Sequence, residues 1–456
     1  MLSEILTKKL PVRCMMSKIA MIGLGCPKNQ VDGEMLLSRL VEGGFDITGD
    51  LNEADLVIIN TCGFIDDAKK EAIDNILYAV SLKEEGVIRG VVVTGCLAER
   101  YQQEILNEIP EVDAVAGIGA NGEIAEICKK VLDGKTVAEF PSKYCMPLEG
   151  DRILSTPSHY AYLKIAEGCS NCCTYCAIPS IRGKFRSREI ENIIEEAKSL
   201  AASGIKEIVV VAQDTTRYGI DLYGELKLPT LLKELCRIDG IEWIRILYCY
   251  PECFTDELID VIAGEDKICN YIDLPLQHAD GDVLKRMNRT GDEKSLTALI
   301  DKIRAKIPDV VIRTTFITGF PGETEENFET LSRFINNVKF DRLGCFAYSP
   351  EEGTFAAKME NQLDDEIKAH RSEIIMQQQY EIFSEKQESR VGTVMTAVVD
   401  GFDEDNMLYM GRTYMDAPEI DSSVIISTED ELEQGQFVKI KVLGVDDCDL
   451  VGEVVE

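Results

Sequence analysis

The chain has 456 residues, 45% apolar and 28% charged, and its 81 Asp/Glu against 48 Lys/Arg leave a net charge of -33. That composition belongs to a soluble globular chain of about two to three domains, and no apolar run approaches the roughly 20 residues of a membrane-spanning helix. So negative a field repels phosphate backbones and attracts basic partners, and sixteen cysteines without an export signal suggest metal binding or thiol chemistry rather than disulfides.

Residues 1–17 read as a flexible tail or the product of a misplaced start codon, because residues 1–16 carry charge and lack the apolar block of a signal peptide. A cytoplasmic protein without a membrane segment is expected. From 18 to 140, strands at 18–24, 56–60, 90–94 and 112–118 alternate with helical stretches, which predicts a parallel sheet covered on both faces. Residues 141–157, with Pro141, Pro147, Gly150 and Pro157 and no apolar period, read as a linker. The domain from 158 to 390 has six strands, at 160–166, 207–212, 243–247, 271–276, 310–317 and 342–348, with helical patterns between them. Six βα units form a partial barrel, although parallel βα repeats also form open sheets. A polar helix over 363–390 closes it, and from 391 to 456 short alternating strands punctuated by Gly401, Gly411, Gly435 and Gly444 predict a small β-barrel. This last domain holds 16 Asp/Glu against 3 Lys/Arg, a net of -13.

Two sets of three cysteines stand out. The segment EGCSNCCTYCAIP spaces Cys169, Cys173 and Cys176 as C-x3-C-x2-C directly after a strand, and three thiolates in one tight loop hold three irons of a 4Fe-4S cluster while the fourth iron stays open. Cys172 allows a second parsing as two abutting C-x2-C pairs around zinc, but zinc ribbons separate their pairs by about 15 to 20 residues, so Cys172 reads as a bystander. Cys26, Cys62 and Cys96 each follow one of the first three strands, in LGCPKN, NTCGF and TGCLAE, and adjoin Gly25, Gly63 and Gly95. In open parallel sheets the carboxyl ends of the strands form the binding crevice, and the glycines would let backbone approach an inorganic core. A buried structural role is the alternative for each cysteine alone.

The cysteine loop, with Tyr175 before its last cysteine, resembles that of the radical SAM superfamily, in which S-adenosylmethionine (SAM) chelates the open iron and is cleaved to a 5'-deoxyadenosyl radical. LGCPKNQVDGE, NTCGFIDDAKKEAID, GCLAERY, DLPLQHAD, MNR and FITGFPGET make the chain, from Lys18 to Glu456, similar to the methylthiotransferases. The resemblance implies an α/β fold in which an N-terminal parallel-sheet auxiliary-cluster domain, a partial (βα)6 radical SAM barrel and a C-terminal TRAM β-barrel follow in that order. It also implies two 4Fe-4S clusters, SAM, an external electron donor and insertion of SCH3 into an unactivated C-H bond.

One branch of that family modifies an adenosine in transfer RNA, and the RimO branch modifies the β-carbon of an aspartate in the twelfth small-subunit ribosomal protein. A barrel that grips RNA should be basic, whereas one carrying -13 suits a basic ribosomal protein, so direct nucleic-acid binding is not expected. GRTYMDAPEIDSS, residues 411–423, also resembles the RimO barrel, with Ser422 and Ser423 where a glycine is expected. The transfer RNA branch remains the nearest alternative, and a non-catalytic iron-sulfur or zinc protein is an alternative of a different class.

Tyr175, Gln213 and Gly319 are the candidates for SAM contact. Gln213 and Asp214 end the second barrel strand and Gly319, Pro321 and Gly322 follow the fifth, where barrel enzymes place ligand contacts, although those glycines also suit a turn. Arg182, Lys184, Arg186 and Arg188 either pair with the SAM carboxylate or the target aspartate, or form an exposed run paired with Glu189 and Glu191. His278 follows a strand and reads as structural. No acid-base residue is assigned.

Overall fold

A computed structural model describes residues 16–455, so residues 1–15 of the expected tail, and Cys14 with them, lie outside the described residues. The chain forms two compact units, one ending at Ile153 and one starting at Leu154, with Phe64–Asp66 grouped with the second.

The first unit is a six-stranded parallel sheet of β1 (Lys18–Gly23), β2 (Asp46–Ile47), β3 (Leu56–Thr61), β4 (Gly90–Gly95), β5 (Ala114–Ala116) and β6 (Val137–Glu139), in the order β2-β1-β3-β4-β5-β6. Strands β3 and β4 are buried throughout. Their side chains alternate between two cores. Val57, Ile59, Val91 and Val93 pack with Ala72, Ile76 and Val80 of helix Asp66–Glu84. Leu56, Ile58 and Val92 pack with Leu36 and Leu40 of helix Pro27–Glu42 and with Ile124 and Ile127 of helix Ile124–Leu132. Each such side chain contributes about 1.5–3 kcal/mol by leaving water. The expected strand at 112–118 shortens to β5 because a 3-10 turn, Ile118–Glu123, begins there. β2 and β6, too short to show a period, were not expected.

The second unit opens with β7 (Tyr160–Lys164), then β8 (Ala166–Glu167) and β9 (Arg186–Ser187), which pair as a small antiparallel ribbon bracketing the cysteine loop. β10 (Glu207–Val211), β11 (Trp243–Ile246), β12 (Ile268–Asp273), β13 (Val311–Thr318) and β14 (Arg342–Ala347) follow. The six long strands pair in parallel in the order β14-β13-β12-β11-β10-β7, an open barrel with one large core. Helix Asp365–Glu388 covers the β14 edge, with Ser372 donating to the Cys345 carbonyl and Gln379 to that of Phe340.

β15 (Val394–Asp403), β16 (Leu408–Thr413), β17 (Val424–Ser427), β18 (Phe437–Asp446) and β19 (Asp449–Val454) close into a five-stranded barrel. Its connection from β16 to β17 is bound to the amino-terminal ends of the large barrel's strands. Glu207, fully buried, accepts from Arg245 (2.8 Å) and from Arg412 of β16 (2.8 Å). Arg412 also donates to Asp400 (2.9 Å), which His159 contacts at 2.7 Å. Arg342 donates to Asp416 (2.5 Å), Tyr271 to Asp421 (2.6 Å) and Tyr160 to Glu419 (2.8 Å). Trp243 meets Phe437 edge-on at 4.8 Å. The segment 411–423 therefore joins the two barrels.

Removing the shared carboxylate would leave fully buried Arg245 without a carboxylate and Arg412 with Asp400 alone. Glu207→Ala should cost about 3–5 kcal/mol, read by urea unfolding through the fluorescence of Trp243, the only tryptophan in the chain. A loss under about 1 kcal/mol would mean that the network contributes no more than a surface pair.

Candidate active site

The cysteine loop leaves the carboxyl end of the first barrel strand. Cys169 and Cys173 are buried, Cys176 is half-buried, and Cys172 is exposed with φ +53°. Burial pushes the Cys169 thiol up to about 11 and raises that of Cys176, and neighbouring cysteines add to both. Such thiols ionise only beside a strong positive charge, which a bound iron would supply. Among the described residues, no three His, Cys, Asp or Glu side chains converge as one metal ion requires. A cubane, with each thiolate on its own iron, asks only that the sulfurs surround a volume. The exposure of Cys172 sets it apart from the other three.

The loop is held by the turn that follows helix Gly281–Arg286 and by the segment after β10. Thr174 donates its backbone N–H to the Met287 carbonyl (3.0 Å) and its hydroxyl to that of Arg286 (2.9 Å). Asn288 donates to the carbonyls of Cys172 (3.0 Å) and Asn171 (3.2 Å), and Asn171 donates to Asp214 (2.8 Å) at the end of β10. The MNR motif is thus a brace for the cysteine loop, a role its sequence alone did not reveal.

Glu167, fully buried two residues before Cys169, accepts from Lys164 (2.9 Å), Arg182 (3.4 Å), the Gly168 amide (3.0 Å) and Gln213 (2.8 Å). Burial alone would raise its carboxyl, but Lys164 and Arg182 outweigh that and hold it down to about 2. Two members of the basic run pair with carboxylates other than Glu189 and Glu191, whereas Lys184 is exposed and Arg186 half-buried. Arg182 is 1% exposed and bonds Glu167, and Arg188 is 4% exposed and pairs with Glu196 at 2.6 Å. Arg182 thus meets a fully buried carboxylate and Arg188 a half-buried one.

The three candidates for SAM contact lie on this mouth of the barrel. Tyr175 packs with Phe320, Tyr348 and Met287. Gln213 donates its amide to Glu167, and its carbonyl oxygen is buried with no hydrogen-bond donor. Such an acceptor suits an ammonium group. Gly319 has φ +72°, and a Cβ there would lie 2.3 Å from Cγ and 3.0 Å from Cα of Lys368, so packing alone requires glycine. Buried His278 faces Glu323 at 3.3 Å and accepts from the Asp280 amide (3.0 Å), which agrees with a structural reading.

In the first unit the register aligns Gly23 with Asn60 and Thr61 with Gly95, so Cys26, Cys62 and Cys96 follow the carboxyl ends of three adjacent strands. The glycines also have a packing reason. A Cβ on Gly25 would lie 2.7 Å from Cβ of Cys62, one on Gly63 2.8 Å from Cα of Leu97, and one on Gly95 2.5 Å from the Thr61 carbonyl. Each glycine lets one cysteine turn pack on the next, which brings the three turns together. Asn29, Asn60 and Thr61, which sequence reasoning passed over, tie these turns. Asn29 donates to Leu24 (2.7 Å), Asn60 to the Asn29 carbonyl (2.8 Å), and Thr61 to the Thr94 carbonyl (2.5 Å). Their signal was present, since Asn29 lies in CPKN and Asn60 with Thr61 in NTC.

An open six-stranded parallel barrel with a three-cysteine loop after its first strand, and a closed five-stranded barrel behind it, define a radical SAM enzyme with a TRAM domain. The radical SAM superfamily matches residues 163–335, the Uncharacterized protein family UPF0004 residues 18–117, and the TRAM domain residues 391–455. The chain belongs to the RimO family of radical SAM methylthiotransferases. It is 49% identical to the ribosomal protein uS12 methylthiotransferase RimO of Lachnoclostridium phytofermentans over 95% of this chain and 99% of that protein. It is 48% identical to that of Clostridioides difficile strain 630 over 96% and 99%, and 47% identical to that of Thermoanaerobacter sp. strain X514 over 96% and 100%. Among solved structures, the radical S-adenosylmethionine methyltransferase TsrM from Kitasatospora setae shares the fold, at TM-score 0.54 and 14% identity over 74% of each chain. The superfamily's cofactors are a 4Fe-4S cluster and SAM.

Gly319→Ala should destabilise the second unit by about 1–3 kcal/mol through overpacking and backbone strain. A thermal melt unchanged from wild type would refute the close approach of Lys368.

Proposed function

We infer that this enzyme places SCH3 on the β-carbon of an aspartate in ribosomal protein uS12. In this reading Cys169, Cys173 and Cys176 hold one 4Fe-4S cluster, and Cys26, Cys62 and Cys96 hold a second. The observation that carries it is near-full-length identity of 47–49% to relatives named for that activity, in a chain whose cysteine loop sits buried at the barrel mouth. A bound cluster and SAM supply a carbon radical able to take hydrogen from an unactivated carbon.

The chain's own residues position and enclose. The free acceptor of Gln213 would take the amino group of SAM, and Tyr175 with Phe320 would wall the site against water. Gly319 would lie at the rim. Lys164 and Arg182 keep Glu167 ionised, which keeps Gln213 oriented. The TRAM barrel offers exposed Glu404, Asp405, Glu429, Asp430, Glu431, Glu433, Asp446 and Asp447 to a basic partner, whereas Asp416 and Asp421 are committed to the large barrel. A surface so charged favours a ribosomal protein over RNA. An external donor would supply electrons. Among the described residues no helix is long and apolar enough to cross a membrane, and we place the enzyme in the cytoplasm.

Anaerobic protein given reductant, SAM, sulfide and a peptide of the uS12 target loop should add the mass of SCH2 to an aspartate, read by tandem mass spectrometry. Deoxyadenosine without peptide modification would move the substrate to transfer RNA, and none at full iron loading would sink the radical reading. For the ligands, Cys173→Ser and Cys62→Ser should each lose one cluster's worth of iron and sulfide, while Cys172→Ser keeps the wild-type content.

A further inference from the structure

Arg289, the last residue of the MNR motif, has no place in the reading above. Its side chain is 2% exposed, and its guanidinium donates to Glu252 through Nε (2.9 Å) and Nη2 (3.4 Å), and to the Pro275 carbonyl (3.3 Å). Nη1 is buried and donates to nothing. The guanidinium lies 4.4 Å from the centre of the Tyr250 ring, and the hydroxyl of Tyr250 lies 4.0 Å from Sγ of Cys173. The preceding residue, Asn288, holds the carbonyls of Asn171 and Cys172. A permanent cation is thus buried one aromatic ring away from a candidate cluster ligand. Burial works against the charge, and the carboxylate of Glu252 offsets it.

A fixed charge here has one direct consequence. A cluster bound by three thiolates becomes more negative on reduction, so a nearby buried cation stabilises the reduced form more than the oxidised form. Glu252 opposes this, but its side chain is 21% exposed and better screened by water. We propose that Arg289 is a positioning residue for electron transfer: with Tyr250 as spacer it raises the reduction potential of the cluster at Cys169, Cys173 and Cys176, and Glu252 sets how far. The proposal rests on those cysteines holding a cluster.

The test is a potentiometric titration of the full chain with its clusters reconstituted, followed by electron paramagnetic resonance of the reduced-cluster signal that SAM alters. Arg289→Gln should move the midpoint to a more negative potential, Arg289→Lys should restore much of it, and Glu252→Gln should move it to a more positive potential. A structural role alone predicts no such opposition of sign. Unchanged midpoints, or two shifts in the same direction, would overturn the proposal while leaving the cluster in place. If Arg289→Gln does not fold, the near-isosteric Glu252→Gln still decides, because any shift but a positive one refutes the assignment. A wild-type protein with no SAM-responsive signal would overturn the cluster reading and this proposal with it.

Discussion

A carboxylate with no exposure to water sits where the first barrel strand turns into the cysteine loop, and it tolerates burial only because four donors surround it. Glu167 collects Lys164 from the end of β7, Arg182 from beyond the loop, the Gly168 amide, and Gln213 from just past β10. A buried charge must be paired or it neutralises, so the pairing ties the loop's start, its exit and its neighbour into one arrangement. The cysteines' positions inherit that rigidity. The donors Asn288 and Asn171 then fix the loop's middle, and Asp214 receives the second of them.

The two ends of the open barrel do opposite work with similar chemistry. At the amino-terminal ends, Glu207, Arg342 and Tyr271 pair with Arg412, Asp416 and Asp421 of the small barrel, and Arg245 donates to the Tyr414 carbonyl. At the carboxyl ends, the carbonyl oxygen of Gln213 and Nη1 of Arg289 are buried without a protein partner. Parallel barrels place ligand chemistry at the latter end, where these two open groups lie. The consequence for the TRAM barrel is that its charge divides into two populations, one spent on cohesion and one facing water.

In the N-terminal sheet the problem is different, because three turns far apart in sequence must meet. Glycines at 25, 63 and 95 remove the side chains that would hold the turns apart, and Asn29, Asn60 and Thr61 satisfy the backbone groups exposed where the strands stop. Cys26 caps the start of helix Pro27–Glu42, and Cys96 begins helix Cys96–Tyr101. The arrangement suits a ligand at the carboxyl edge of the sheet.

Local pattern determined a good deal of this. Apolar-rich runs of strand length announced all six long barrel strands and β1, β3 and β4, most plainly where both faces are buried, as in β3, β4 and β10. The C-x3-C-x2-C spacing was legible because neighbouring residues impose its geometry, and the family followed from motifs that occupy short stretches. Tertiary structure alone decided the partners of charged and polar side chains. Arg182 and Arg188 look like a solvated or ligand-binding run until Glu167 and Glu196 are seen opposite them, and Asp416 and Asp421 count as surface charge until Arg342 and Tyr271 meet them. Gly319 resembles a ligand cradle in sequence, and the approach of Lys368 from nearly fifty residues away supplies its reason. Hydrophobic burial is written residue by residue in the periodicity of a chain, whereas an ion pair depends on which distant segment arrives, and only the folded chain specifies that.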